Sequence, residues 1–150
     1  MNDKEVIRKV RQEHARLRDI KASLLAVLDG AAEADAHRWL DELRDRFEHF
    51  RAHLIHRVAL EEIGGFLNVV LRRRPTLSGQ VAHLRESHSE MIEMAGETMA
   101  ELRKLDASDP ESVDQAALLV KMALSEVKYH EEAETLLVSF IFTEEEQGDD

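Results

Sequence analysis

Apolar residues recur along the chain at the three-to-four-residue spacing of a helix face, in four separate runs. The first holds Ile7, Val10, Leu17, Leu24 and Leu28, and the second holds Leu40, Leu43, Phe47, Phe50, Leu54 and Val58. Leu84, Met91, Ile92, Ala95, Met99 and Leu102 form the third; Ala116, Val120, Ala123, Val127, Leu137 and Ile141 form the fourth. Turn-forming residues separate the runs: Asp29-Gly30, the stretch from Arg74-Pro75 to Gly79, and Asp106 to Pro110, where Asp109 suits a cap and Pro110 a first helical position. The pattern predicts helices over 3–29, 34–73, 78–105 and 110–142. Gly64-Gly65 marks a bend or break near the end of the second. Nothing alternates with the period of a strand. Four amphipathic helices with short connections predict an all-α, up-down-up-down four-helix bundle over 1–143, followed by an acidic, fraying tail over 144–150.

Composition narrows the chemistry. At 150 residues the chain suffices for one domain with a full core. It has no cysteine, which excludes disulfides, thiolate zinc sites and iron–sulfur clusters, so any metal must be held by histidine and carboxylate. A net charge of −11, with one tyrosine and one tryptophan, argues against nucleic acid as a partner. Met1-Asn2-Asp3-Lys4-Glu5 opens no apolar run of signal-peptide length. No stretch nears the ~20 apolar residues of a membrane span. The expectation is a soluble, cytoplasmic protein with no membrane partner. Arg72-Arg73-Arg74 reads as a solvated helix end and Glu144-Glu145-Glu146 as a solvated tail.

Five polar residues interrupt the apolar faces. At about 100° per residue, His14 falls between Val10 and Leu17, and His88 between Leu84 and Met91. His130 and Glu134 continue the line from Val127 to Leu137, and Glu61 extends that of Leu54 and Val58. His49, His56 and His83 point largely outward, and His37 sits near a helix start. A charged carboxylate in a core is costly without a partner. A single inward histidine is ordinarily a satisfied core residue, but here every helix contributes an inward ligand. His130 and Glu134 stand one turn apart and can reach one ion. Convergent histidines and glutamates are how bundles hold metals, and a sulfur-free set suits iron, manganese or zinc.

These residues carry a family resemblance. Glu13-His14, Leu60-Glu61-Glu62-Ile63-Gly64-Gly65-Phe66, Pro75, Leu84-Arg85-Glu86-Ser87-His88 and His130-Glu131-Glu132-Ala133-Glu134 resemble, in order and spacing, the bacterial hemerythrin-like, histidine–histidine–glutamate cation-binding domains. Position 84 is leucine, so the paired helix-three histidines of classical oxygen carriers are absent. The closer likeness is to a four-histidine, two-glutamate di-iron variant, similar to proteins that repair damaged iron centres. That likeness implies His14 and His88 as lone ligands, His130 with Glu134 as the helix-four pair, and Glu61 as a bridging carboxylate. Where the family pattern expects a helix-two histidine, the chain has Arg57, which offers no lone pair. His56 can replace it through a π-bulge, or His53 with a shifted centre; His56 stands nearer Glu61 along the helix. Without either, water supplies the sixth ligand or the site holds one metal rather than two.

The resemblance implies a centre of two irons, with one iron, manganese or zinc as the lesser case. It further implies a protein that binds or senses dioxygen, peroxide or nitric oxide, acting through a protein partner, and a binding protein rather than an enzyme. The alternatives are an iron-donating or peroxide- or nitric-oxide-consuming stress protein, and a metal-free bundle in which Arg57 pairs with Glu61 or Glu134 and the domain serves as an interaction module.

Overall fold

The computed structural model describes residues 2–30 and 35–148, and within them the chain is all-helical. Four long helices, α1 (Asp3–Asp29), α2 (Ala36–Glu62), α4 (Ser78–Lys104) and α5 (Ser112–Gly148), are joined by a short α3 (Phe66–Arg73) and a 3-10 turn over Pro75–Leu77. The expected start of the second helix at residue 34 and the last two residues of the tail lie outside the described residues.

Helix ends follow local chemistry. Asn2 accepts a hydrogen bond from the Glu5 amide at 2.9 Å, and Asp35 accepts from the amides of His37 and Arg38. Each satisfies donors that the first turn leaves without a partner. Asp109 accepts from the Glu111 amide at 3.0 Å, and its carbonyl takes the Ser112 amide, so α5 begins two residues after Pro110 rather than at it.

The expected single helix over 34–73 is two helices, broken at Ile63–Gly65. A Cβ on Gly64 would sit 2.5 Å from the Leu60 carbonyl oxygen, and Gly65 has φ +96°, which a side chain disfavours. Thus the paired glycines permit a turn that sends α3 across the ends of α1, α2 and α4. Its buried residues Phe66, Leu67, Val69 and Val70 pack there as an apolar face.

The predicted faces are buried throughout, except that Ile92 is half-buried. They form two separate apolar clusters. One, around Leu24, Leu43, Phe47, Phe50, Met99 and Val120, fills the end nearer the α1–α2 connection. The other, around Ile7, Val10, Phe66, Val70, Leu84 and Ile141, lies under α3. The inward polar residues sit at the sequence positions between the two clusters on every long helix.

The tail is helical to Gly148, and the two charge runs pair with each other instead of fraying into solvent. Arg73 and Arg74 reach Glu144, Arg73 also reaches Glu145, and Arg11 reaches Glu146. No described helix is long and apolar enough to cross a membrane.

Candidate metal centre

The polar layer is built by helical register. His14 on α1 follows Val10 by one turn, Arg57 and Glu61 on α2 stand one turn apart, His88 sits one turn past Leu84, and Glu134 precedes Leu137. Each therefore inherits the inward direction of its apolar neighbours. Arg57, Glu61, His88 and Glu134 are 2% exposed or less.

Glu61 lies at the centre. Its Oε1 accepts from His14 Nε2 at 2.9 Å, and its Oε2 lies 3.0 Å from His88 Nε2. The same His88 nitrogen is 3.9 Å from Glu134 Oε1. His88 is held from behind, its Nδ1 lying 2.9 Å from Glu62 Oε2, so its Nε2 is aimed into the layer. An imidazole fixed by a carboxylate through one nitrogen, with the other presented inward, is the usual posture of a metal ligand. His14, Glu61 and Glu134 bring one ligand atom each to within 4.8 Å of one another.

Four atoms in this layer are buried without a hydrogen bond, Arg57 Nε, Glu61 Oε2, His88 Nε2 and Glu134 Oε1, and the last three converge, with His88 Nε2 3.0 and 3.9 Å from the two oxygens. Orphaned buried polar atoms are rare and costly, and here they face each other. Bonds of ~2.1 Å at right angles would place neighbouring donors of a metal ~3.0 Å apart. The 3.0 Å separation of His88 Nε2 from Glu61 Oε2 matches that edge. The residues present thus fit one nitrogen- and oxygen-bound cation.

The position of a helix-two ligand is filled differently. The Arg57 guanidinium donates to Glu131 at 2.9 Å through Nη1 and to Glu134 Oε2 at 3.4 Å through Nη2; its Nε lies 3.7 Å from Glu61 Oε1. One fixed cation therefore bridges Glu61 and Glu134. Burial disfavours its charge, but Glu134, Glu61 and Glu131 outweigh that and hold it above its ordinary value.

The same contest sets the other groups. Burial works against ionised Glu61, yet the facing Glu134, His14 and His88 side chains and the charge of Arg57 hold it well below the usual carboxylate range. Glu134 is pushed up by burial and by Glu61, with Arg57 opposing. Burial also disfavours a charged His88, but the facing carboxylates of Glu134 and Glu61 push it up to about 10. In the metal-free protein, a proton on His88 takes up charge that a cation would otherwise supply.

The remaining expected ligands are placed elsewhere or held in another way. His130 is buried, its Nδ1 sharing a hydrogen bond with the Ser87 hydroxyl. No π-bulge swings His56 inward, because α2 is an uninterrupted α-helix from His56 to Glu61. His56 and His53 instead face Glu13, with Nδ1 atoms 3.3 and 2.7 Å from its two oxygens. Sequence reasoning gave no role to Glu13, Glu62, Ser87 or Glu131. Each is the immediate neighbour of an inward ligand, the one signal the sequence held for them.

A cleft of about 340 Å³ leads from solvent to this layer, lined by His14, Arg18, Lys21, Arg57, Lys128 and Glu134 among others. His14 and Glu134 are the layer's edge on that side. Four cations against two carboxylates at its wall, Glu131 and Glu134, give it a local charge opposite to that of the whole chain. Comparisons with protein-family models, with curated proteins and with solved structures find no match to this chain.

Proposed function

We propose that the chain is a hemerythrin-like, up-down-up-down four-helix bundle of α1, α2, α4 and α5, with α3 as an added cap, and that it binds one transition metal where its relatives in pattern bind two. Glu61, His88 and Glu134 are the central ligands, His14 completes the set, and Arg57 stands in for the second ion. The observation that carries this reading is the convergence of Glu61 Oε2, His88 Nε2 and Glu134 Oε1, buried and without hydrogen bonds. Arg57 alone does not satisfy them, since it reaches only the opposite oxygens, Glu61 Oε1 and Glu134 Oε2.

Iron is the ion proposed first, with manganese and zinc compatible with the same donors. Such a centre supplies a Lewis-acidic position for a small ligand of the dioxygen, peroxide or nitric oxide class. The chain's own residues do the rest: the α1–α5 cleft admits the ligand, Lys21, Arg18 and Lys128 favour an anionic one, and the apolar clusters on either side exclude bulk water. The proposed role is binding or sensing, in the cytoplasm, with the signal passed to a protein partner. Iron donation and peroxide consumption draw on the same ligands, and turnover assays separate them from sensing.

Metal analysis of the full chain from iron-supplemented cells tests the proposal. About one iron per chain is expected, falling below a tenth in Glu61→Gln and His88→Ala. Two irons per chain would overturn the role given to Arg57. None after anaerobic reconstitution would overturn the centre and favour the second reading, an interaction module. The ion pairs of Arg57 with Glu61, Glu131 and Glu134 would then be structural.

A further inference from the structure

We propose a second metal site, independent of the buried layer, formed by Glu13, His53 and His56 on the outer side of the α1–α2 contact and suited to a single divalent ion of the zinc class. Glu13 is a carboxylate only 5% exposed. Its Oε1 lies 2.7 Å from His53 Nδ1 and its Oε2 3.3 Å from His56 Nδ1, and the three residues bring ligand atoms within 4.8 Å of one another. No arginine or lysine pairs with Glu13 among the described residues.

Helical geometry explains the arrangement. Positions 53 and 56 are three apart and share one side of α2, flanking the face that carries Arg57. Glu13 precedes His14 by about 100° on α1, so it meets that side of α2 while His14 enters the layer. Each imidazole directs the same nitrogen, Nδ1, at a different oxygen of one carboxylate. Each oxygen of the buried carboxylate thus meets one imidazole.

The donor set selects the ion. Two imidazoles and one carboxylate with no thiolate match zinc held by three protein ligands, with a fourth position left to water. Tetrahedral bonds of ~2.0–2.1 Å set donors ~3.3 Å apart, so the triad needs only small side-chain shifts. His56 is 54% exposed and keeps the fourth position open to solvent. His49 packs edge-on against His53, ring centres 4.7 Å apart, and restrains that ring. Calcium and magnesium, which demand oxygen donors, are disfavoured.

A bound ion would tie α1 to α2 at the turns that carry His14 and Arg57. The site would therefore brace the buried layer without contributing an atom to it.

The test is a zinc titration of metal-stripped full-length protein against a chromophoric chelator, in wild type and in Glu61→Gln/His88→Ala, where the buried centre is disabled. Both proteins are expected to bind zinc at the outer site and to melt at higher temperature with zinc present. His56→Ala, an exposed change that leaves the fold intact, should weaken that binding tenfold or more. His53→Ala/His56→Ala should abolish it and the thermal shift together. The proposal is overturned if Glu61→Gln/His88→Ala takes up no zinc, or if removing both outer histidines leaves its uptake and melting shift unchanged. Because the buried centre is read in a separate variant, failure of either site is distinguishable from failure of the other.

Discussion

Two clusters of histidine and carboxylate lie on neighbouring positions of the same two helices, yet they balance charge in opposite ways. The inner one draws His14, Arg57 and Glu61 from α1 and α2, and the outer one draws Glu13, His53 and His56, offset by a single residue at two points. Inside, where Glu61 is fully buried, the sequence supplies a permanent cation. Outside, where His56 is half in water, two imidazoles suffice and no guanidinium appears. The difference teaches that the number of buried carboxylates and the solvent access of their partners, rather than ligand type, decide how much charge compensation must be built into the chain. A buried carboxylate pair must be neutralised before any metal arrives, whereas the single buried Glu13 is met by imidazoles that reach solvent.

The largest expected effect breaks that asymmetry directly. Arg57→Met keeps the volume but strips Glu61, Glu131 and Glu134 of their shared cation. In metal-free protein at neutral pH it should cost about 3–5 kcal/mol, the usual penalty for orphaning a buried charge. His53→Ala, at the rim, should cost no more than about 1 kcal/mol. Urea unfolding of both variants measures the contrast, and similar losses would mean that burial does not distinguish the clusters. Arg57→His sharpens the point from the other side. It restores the donor that the family pattern places on helix two, and should raise the iron content from about one per chain towards two.

An effect on the order of 3 kcal/mol is expected from pH. His88 has its folded pKa raised to about 10 from an ordinary 6.5, so its proton favours the folded state. That contribution is complete below 6.5 and is lost as pH rises through about 10. Metal-free protein should therefore lose stability between neutrality and pH 10. Glu61, held low, works in the other direction and supplies stability that is lost in acid. Thermal melts of wild type and His88→Asn across this range check the assignment: the variant should lose the alkaline slope, and a slope unchanged in it would place the proton elsewhere.

Much of this was legible in the pattern of residues, and what was not has physical reasons. The inward line of Val10, His14 and Leu17, and its counterparts on the other long helices, follow from helical period alone, which is why the polar layer could be located in advance. The glycine pair foretold the break, because only glycine tolerates the backbone that Gly65 adopts. Arg57 announced itself as a gap in a ligand pattern. Its partner Glu131 did not, since a half-exposed glutamate reads as solvated until α5 is laid beside α2. Glu13 was hidden for the same reason: its burial comes from the approach of α2, which no single-helix wheel contains. The charge runs at 72–74 and 144–146 each look like solvated ends, and only the fold reveals that Arg73 and Arg74 meet Glu144 and Glu145, while Arg72 turns to Asp3 and Glu146 to Arg11.

The smallest effect concerns a residue that touches no expected metal position. Glu62 holds His88 Nδ1 at 2.9 Å and also lies 3.6 Å from Arg85, at the edge of the layer. Glu62→Gln preserves shape and an acceptor oxygen but removes the charge that orients and enriches the imidazole. Loss of such a supporting carboxylate typically lowers metal affinity about 10–100-fold, equivalent to about 1.4–2.8 kcal/mol. The decline should appear only at the inner centre. Zinc uptake that depends on His53 and His56 should be unaffected, because Glu62 supports a ligand on α4 and the outer triad draws only on α1 and α2. Chelator competition on Glu62→Gln, with and without the outer histidines, reads the two sites separately. Equal weakening at both would show that the clusters are coupled through α2, and the independence inferred from their geometry would then fail.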